Sequence, residues 1–337
     1  QLICQINAGF PFRSTTSAVP VLLRYALRAL EKTFGFSFLG RFRERLFDSF
    51  AAYRLEKTDV TLIHGGFFLQ KTARRAQALG SLAVDISVSA HFSENAALEK
   101  EELTALGFPD YDGVYGQLAR GGVALDRFDY LILMSDFAKK TYRAAGYPAE
   151  RIYLAYIDVD TERFSPTGHA KETGIFKVLY MAYTQPLKGL HYLLDAWEEL
   201  ALPNAELTIV GDYSSMPDGL RQQYEKRIQD GSRIIWKPGT QTPETYYRDA
   251  SVFVFPSLTE GFGRSTIEAM ASGLPVITTE NAQGIVEDGK TGFVVPIRDA
   301  AALKEKIRYL YDHRDVAARM GRDASAAVKQ KKPFGEA

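Results

Sequence analysis

Glu260 and Glu268 stand eight positions apart around the turn Gly261-Phe262-Gly263-Arg264-Ser265. Gly261 and Gly263 can take backbone angles that other residues avoid, which lets main-chain amides come close to a phosphate. Carboxylates in such a place accept hydrogen bonds from sugar hydroxyls. Each carboxylate alone has a plainer reading. Glu260 can be a solvated loop residue, and Glu268 can close a capping box that starts at Ser265.

The elements that must carry these residues are legible on both sides. Residues 252–255 (VFVF) read as a strand buried on both faces, stopped by Pro256, which has no amide proton for the ladder. A loop over 257–264 follows, then a short helix from Ser265 closed by Gly273, then a strand over 275–278. In this strand–loop–helix–strand unit the loop lies at the carboxyl end of a parallel strand, where open α/β sheets bind ligands.

The rest of the chain repeats the alternation. Strands are expected over 1–6, 60–64, 83–89 and 130–134, with a loop over 7–14 and helices over 17–34, 39–57 and from Ser135 to about 145. His91 follows the 83–89 strand. After one last strand and then an irregular connector over 150–166 the pattern restarts, with strands over 177–183, 206–210, 233–237 and 293–295 and helices over 191–200, 299–313 and 314–329. This predicts two Rossmann-like, doubly wound parallel-sheet domains, 1–168 and 169–337, with a hinge near 165–172.

Composition excludes several classes. Of 337 residues 46% are hydrophobic and 24% charged, as in an ordinary globular chain of about two domains. Lys+Arg and Asp+Glu balance at 41 each, so net charge gives no reason to expect nucleic acid. The single cysteine, Cys4, excludes an internal disulfide and a multi-cysteine metal site. With no run of about 18 apolar residues and no signal peptide, a cytoplasmic protein is expected. The chain opens within an expected strand, so a few residues are expected upstream. Residues 21–57 carry eight basic and four acidic side chains interleaved with six phenylalanines. Such a stretch can lie on an anionic membrane, at the inner face; the alternative is two helices with phenylalanines inward and arginines outward.

Gly284–Thr291 fits the P-loop expression G-x-x-x-x-G-K-[ST], but a strand rather than a helix is expected after it, so it reads as a turn. Asp158-Val159-Asp160 offers paired carboxylates in the connector, a pattern common by chance, and no metal site is assigned. No G-x-G-x-x-G follows an expected strand, and no G-x-S-x-G elbow is present, which disfavours dinucleotide oxidoreductases and hydrolases.

The run PSLTEGFGRSTIEAMASGLPVI resembles the E-x7-E signature of glycosyltransferase family 4, retaining enzymes with the GT-B fold, two Rossmann-like domains facing a cleft. SDFAKKTYRAAGYPAERIYLAYIDVDTERFSP, VLYMAYTQPLKGLHYLLDAWEEL and GKTGFVVP resemble further family segments, covering about 129–330. The resemblance implies a nucleotide-diphospho-sugar donor, a glycan or lipid-linked acceptor, and neither cofactor nor metal. It implies that Glu260 touches donor hydroxyls and that Gly261, Phe262 and Gly263 present amides to sugar or diphosphate. Glu268 would hold the ribose, Lys188 would neutralise the diphosphate, and His91 would lie near the reacting sugar. Arg264, Ser265, Pro238 and Gly239 would complete the donor pocket, and Gly9 and Arg13 the acceptor and diphosphate side. For His91 the plainer reading is a strand-end histidine with one backbone bond.

The chain also departs from that family. Tyr183 stands where an arginine usually precedes the lysine by five residues, and a tyrosine supplies no guanidinium fork. Asp212-Tyr213 replaces the usual glycine turn after Gly211, and Gly284 replaces a glutamate. The chain stops at Phe334-Gly335-Glu336-Ala337, where the family's last helix would cross back. The resulting expectation is a retaining glycosyltransferase of envelope polysaccharide synthesis, with peripheral membrane contact through 21–57. The rivals are a degenerate nucleotide-sugar binder and a related GT-B enzyme such as a nucleotide-sugar epimerase.

Overall fold

The structure, a computed structural model, describes residues 3–6, 13–15, 37–64, 68–120, 127–166, 174–213, 216–228 and 232–330, with backbone alone for 3–6, 13–15, 37–44 and 120. Gly9, the 17–34 helix, the terminal 334–337 and most of the hinge at 165–172 lie outside the described residues, as does the side chain of Arg13.

The chain divides into two compact units, 1–88 with 121–155, and 89–120 with 156–337. Residues 89–120, placed with the first domain on sequence, thus group with the second half of the chain. Net charge separates along the same line. The first unit holds 17 Lys+Arg against 10 Asp+Glu, net +7, and the second 24 against 31, net −7.

The sheet of the first unit runs in the order β2 (Arg13–Thr15), β1 (Ile3–Ile6), β3 (Val60–His64), β4 (Leu82–Ser87), β5 (Tyr130–Leu133) and β6 (Ile152–Leu154). The last four are parallel, but β1 pairs antiparallel with both β2 and β3. The expected parallel sheet thus carries an antiparallel edge, and β2 corrects the expectation of a loop throughout 7–14. Alternating or continuous apolar runs reveal a strand and its faces, not the direction of its neighbour. The core of this unit gathers Leu55, Ile63, Leu69, Phe128, Leu131 and Tyr142, all buried, between the sheet and the helices Ser37–Arg54, Gln70–Ala78 and Asp136–Ala144. Ser135 caps the last of these, its hydroxyl accepting from Ala138 N at 3.1 Å, as its sequence predicts.

The sheet of the second unit is parallel throughout. Its order is β12 (Gly292–Val295), β11 (Val276–Thr279), β10 (Val252–Phe255), β7 (Phe176–Met181), β8 (Ala205–Val210) and β9 (Ile234–Lys237). All four residues of β10 and of β11 are buried, as strands covered on both faces require. From β7 the chain winds outward one way through β8 and β9, and from β10 the other way through β11 and β12. The neighbours β7 and β10 therefore bound a topological switch point, where the loops leaving their carboxyl ends diverge and open a crevice.

Candidate functional site

The loop after β7 carries Lys188 and the loop after β10 carries Glu260, so the switch point brings together two residues 72 positions apart. Lys188 ends a single 3-10 turn, Pro186–Lys188, and Gly189 behind it takes φ +67° and starts the helix Leu190–Leu200. Only glycine suits that position. The backbone is left-handed, and a Cβ there would collide with the carbonyl oxygen of Pro256. The close approach draws the two loops together. Leu258 N donates to Leu187 O at 2.8 Å, and Ser257 Oγ lies 3.1 Å from the same carbonyl.

Lys188 Nζ is ion-paired with Glu260 Oε1, both side chains more than four-fifths buried. Ser257 Oγ lies 3.2 Å from that carboxylate oxygen, and the ring of Phe255 lies beneath the ammonium at 5.9 Å. The expected donor-sugar carboxylate and the expected diphosphate cation thus face each other, each the partner of the other. The structure also places Tyr115 close to Glu260. Burial first, and the Glu260 and Glu99 charges second, push its hydroxyl up to about 12, so it stays a neutral donor. Nothing in the local sequence around Tyr115 marks it.

Downstream, Gly263 takes φ +76° and is itself the N-cap of the helix Arg264–Ala271. The capping box expected from Ser265 is therefore not formed; Ser265 already lies in the first turn, two residues too late to cap. Glu268 serves elsewhere. Its Oε2 accepts from the hydroxyl of the wholly buried Tyr247 at 3.1 Å, and its Oε1 lies 3.2 Å from Arg264 Nε. Burial raises its pKa, against the opposing effects of Tyr247 and Arg264. An ionised carboxylate accepts up to about four hydrogen bonds, so Glu268 retains capacity for a ligand's hydroxyls. The first amides of a helix have no acceptor within it, so those of Arg264 and Ser265 present donors at an N-terminus suited to an anion. The hydroxyl of Thr266 in the same turn is buried without a partner. Phe262 is buried, its ring 6.0 Å from that of Tyr156, so its side chain anchors the turn while its backbone follows the loop.

At the carboxyl ends of β8 and β9, Gly239 N donates to Asp212 Oδ1 at 3.1 Å, with Pro238 just before it. Tyr213 stacks on Trp236 at 4.5 Å, and the Trp236 indole donates to Gly211 O at 2.9 Å. The two residues that replace the usual glycine turn thus tie the β8 loop to the β9 loop. Tyr183, in the place of the usual arginine, is 73% exposed.

His91 is not at a strand end but caps the helix Phe92–Ala105, four residues beyond β4. Its Nδ1 lies 3.3 Å from Ser93 N and 2.6 Å from Ser93 Oγ, so that nitrogen is taken up by the cap. Burial lowers its pKa to about 4, so near neutral pH it is an uncharged hydrogen-bonding group rather than a cation.

The remaining motifs have local explanations. Gly284–Thr291 leads into β12 rather than into a helix, and Thr291 Oγ1 accepts from Glu287 N at 2.9 Å, so it is a turn. Asp160 Oδ1 accepts from Glu162 N and Arg163 N at 3.1 and 3.0 Å, bracing the connector.

A lysine–carboxylate pair and a glycine-started helix around the switch point of a parallel sheet, in a chain with a second α/β unit, define a GT-B-type architecture. Comparison with known proteins agrees. Residues 176–313 match the family described as Glycosyl transferases group 1. The capsular polysaccharide biosynthesis glycosyltransferase CapM of Staphylococcus aureus is 27% identical over 207 residues, 59% of this chain and 54% of CapM. The putative colanic acid biosynthesis glycosyltransferase WcaL of Escherichia coli (strain K12) is 28% identical over 212 residues, 58% of this chain and 50% of WcaL. The chain spans about half the length of the curated relatives it matches. Among solved structures, Anabaena HepE in complex with UDP-glucose superposes with a TM-score of 0.66 at 18% identity, over 85% of this chain and 77% of HepE. That likeness shows the fold.

Proposed function

We propose that this protein is a retaining family 4 glycosyltransferase. It moves a sugar from a nucleotide-diphospho-sugar to a glycan or lipid-linked acceptor in envelope polysaccharide synthesis. The observation that carries this reading is the Lys188–Glu260 pair at the β7/β10 switch point, beside the helix that starts at Gly263. The E-x7-E spacing of Glu260 and Glu268, the UDP-glucose held by HepE and the capsular and colanic acid roles of CapM and WcaL support it.

The donor lies on the second unit. Its diphosphate takes Lys188 from Glu260, and the freed Glu260 carboxylate accepts from hydroxyls of the sugar. Glu268 accepts from the ribose. As the anomeric bond breaks, negative charge grows on the leaving diphosphate, where Lys188 and the helix start at Arg264–Ser265 stabilise it without reorganising. The acceptor attacks from the face the diphosphate leaves, and the departing phosphate helps take its proton. Configuration is retained without a protein nucleophile, and Lys188 with the helix start fills the charge role that a metal has in other transferases. His91, neutral, lies near the reacting sugar.

A thermal-shift screen against UDP, GDP, ADP and their common sugars tests the reading. At about 100 times its dissociation constant the true donor stabilises by about 2.7 kcal/mol. If no nucleotide or nucleotide-sugar shifts the transition, the donor site is refuted. The exposure of Tyr183 favours one second reading, a nucleotide-sugar binder without turnover, in which a nucleotide-sugar stabilises the protein but no acceptor ever yields product.

We further propose that the net +7 first unit rests on an anionic membrane surface, through 21–57 together with the exposed Arg74, Arg75 and Lys140. No helix among the described residues is long and apolar enough to cross a membrane. Co-sedimentation with phosphatidylglycerol vesicles, lost with rising salt, is the expected result; equal recovery with phosphatidylcholine vesicles refutes it.

A further inference from the structure

Asn95 lies one turn into the helix that His91 caps and is 1% exposed. Its Nδ2 donates to Ala90 O at 3.2 Å, and its Oδ1 accepts from Thr259 Oγ1 at 2.6 Å. The orientation of the amide is fixed, because a carbonyl can only accept; the nitrogen must face Ala90, so the Thr259 hydroxyl must donate. Ala90 immediately precedes His91, and Thr259 immediately precedes Glu260. One buried amide thus holds the backbone of the residue before His91 and the side chain of the residue before Glu260, the second across 164 positions of sequence.

Asparagine is a poor choice for a helix interior, and its burial costs desolvation unless both ends are bonded. An apolar residue would serve packing alone. Indeed Leu98, one turn further along, does that, clustering with Leu187 and Leu258. Those two leucines lie one residue before Lys188 and two before Glu260. The helix therefore touches both loops of the switch point with an apolar contact, and adds a directional polar one at Thr259 alone.

We propose that Asn95 is a positioning residue that holds His91 and Glu260 in a single register for glycosyl transfer. The proposal rests on the function proposed above. Asn95 is buried, with both ends of its amide bonded within the protein, so its loss is expected to leave nucleotide binding intact and to slow the chemical step.

The test uses the full chain with UDP and UDP-glucose, comparing wild type, Asn95→Ala, Thr259→Val, the double variant and Thr259→Ser. Urea unfolding selects conditions in which all are folded. Calorimetry gives the UDP dissociation constant, and release of UDP from UDP-glucose, with water taking the glucosyl group, gives kcat. The two single variants are expected to lose kcat by roughly 10- to 100-fold, as misplaced catalytic groups do, with UDP affinity within about twofold. The double variant is expected to fall no further than the weaker single, because both break one link. Thr259→Ser keeps the hydroxyl and is expected to recover most of the rate. Unchanged kcat in Asn95→Ala, multiplicative losses in the double variant, or UDP affinity falling in step with kcat overturns the proposal. Should wild type neither bind UDP nor release it from UDP-glucose, the function itself fails as read for that donor. The link is then judged by NMR titration of labelled histidine. His91 titrating closer to its ordinary value in both Asn95→Ala and Thr259→Val upholds it, and a midpoint unmoved from wild type in Thr259→Val refutes it.

Discussion

Lys188→Ala is expected to abolish the stabilisation of this protein by its nucleotide donor. The lysine is held over the ring of Phe255 and against Glu260, with its ammonium already desolvated and aimed. A charge-assisted bond to a diphosphate contributes about 1.5–3 kcal/mol, comparable to the about 2.7 kcal/mol that saturating donor supplies. Removing the lysine also leaves the Glu260 carboxylate, four-fifths buried, facing the diphosphate without its counter-charge. Both effects act in one direction, so affinity should fall by about 100-fold or more. Glu260→Gln is the informative contrast. It releases Lys188 from its competing partner, so UDP should bind at least as tightly as to wild type, while sugar transfer falls for want of the carboxylate. Calorimetry of UDP against both variants decides the matter. Wild-type affinity in Lys188→Ala, or affinity lost equally in both, shows that the pair is structural rather than a donor site.

The largest stability effect is expected at Glu102. Its side chain is 2% exposed and accepts from His191 Nε2 at 2.9 Å, from the Tyr192 hydroxyl at 2.8 Å and from Arg298 Nε at 2.6 Å. Glu102→Ala leaves a buried histidine, a tyrosine hydroxyl and one side of a guanidinium without their acceptor. Breaking a buried pair from one side costs about 3–5 kcal/mol. Burial alone would raise the carboxyl's pKa, but the bonds from His191, Arg298 and Tyr192 outweigh it and hold the carboxyl below its ordinary value. The sign follows by linkage. The stability is present above the ordinary carboxylate range and is lost as pH falls through the depressed folded value. The gap between wild type and Glu102→Ala in urea midpoint should therefore be widest near neutral pH and close in acid. Tryptophan fluorescence reports it cleanly, since both tryptophans, Trp197 and Trp236, lie in the second unit. A variant as stable as wild type at neutral pH shows that the network contributes nothing net.

The sequence by itself determined the alternation of strands and helices and the loop that carries the site. A run such as VFVF before a proline has few alternatives to a buried strand, and β3 and the Ser135 cap lie where periodicity and capping chemistry put them. The turn at Gly263 was legible because glycine marks backbone that other residues cannot follow, whereas Gly261 takes no left-handed angle. The start of the next helix was not. Ser265 carries a capping pattern, but the left-handed angle at Gly263 begins the helix earlier, and Glu268 then pairs with Tyr247 instead. Strand direction at β1 was hidden for a related reason, since side-chain pattern is blind to the polarity of a neighbour.

Tertiary structure alone decided what the helix Phe92–Ala105 does. Asn95, Glu99 and Glu102 fall on one face of it, and each is 3% exposed or less. Their burial depends on partners far along the chain: Thr259 for Asn95, and His191 and Arg298 for Glu102. For Glu99 the partners are the amides of Tyr115 and Gly116. A polar residue's local sequence records its chemistry but not the identity of a distant donor, and only folding supplies the donor that makes its burial favourable. The same holds for Lys188 and Glu260. Their types were written in the sequence, and their pairing was decided by the order of strands in a sheet.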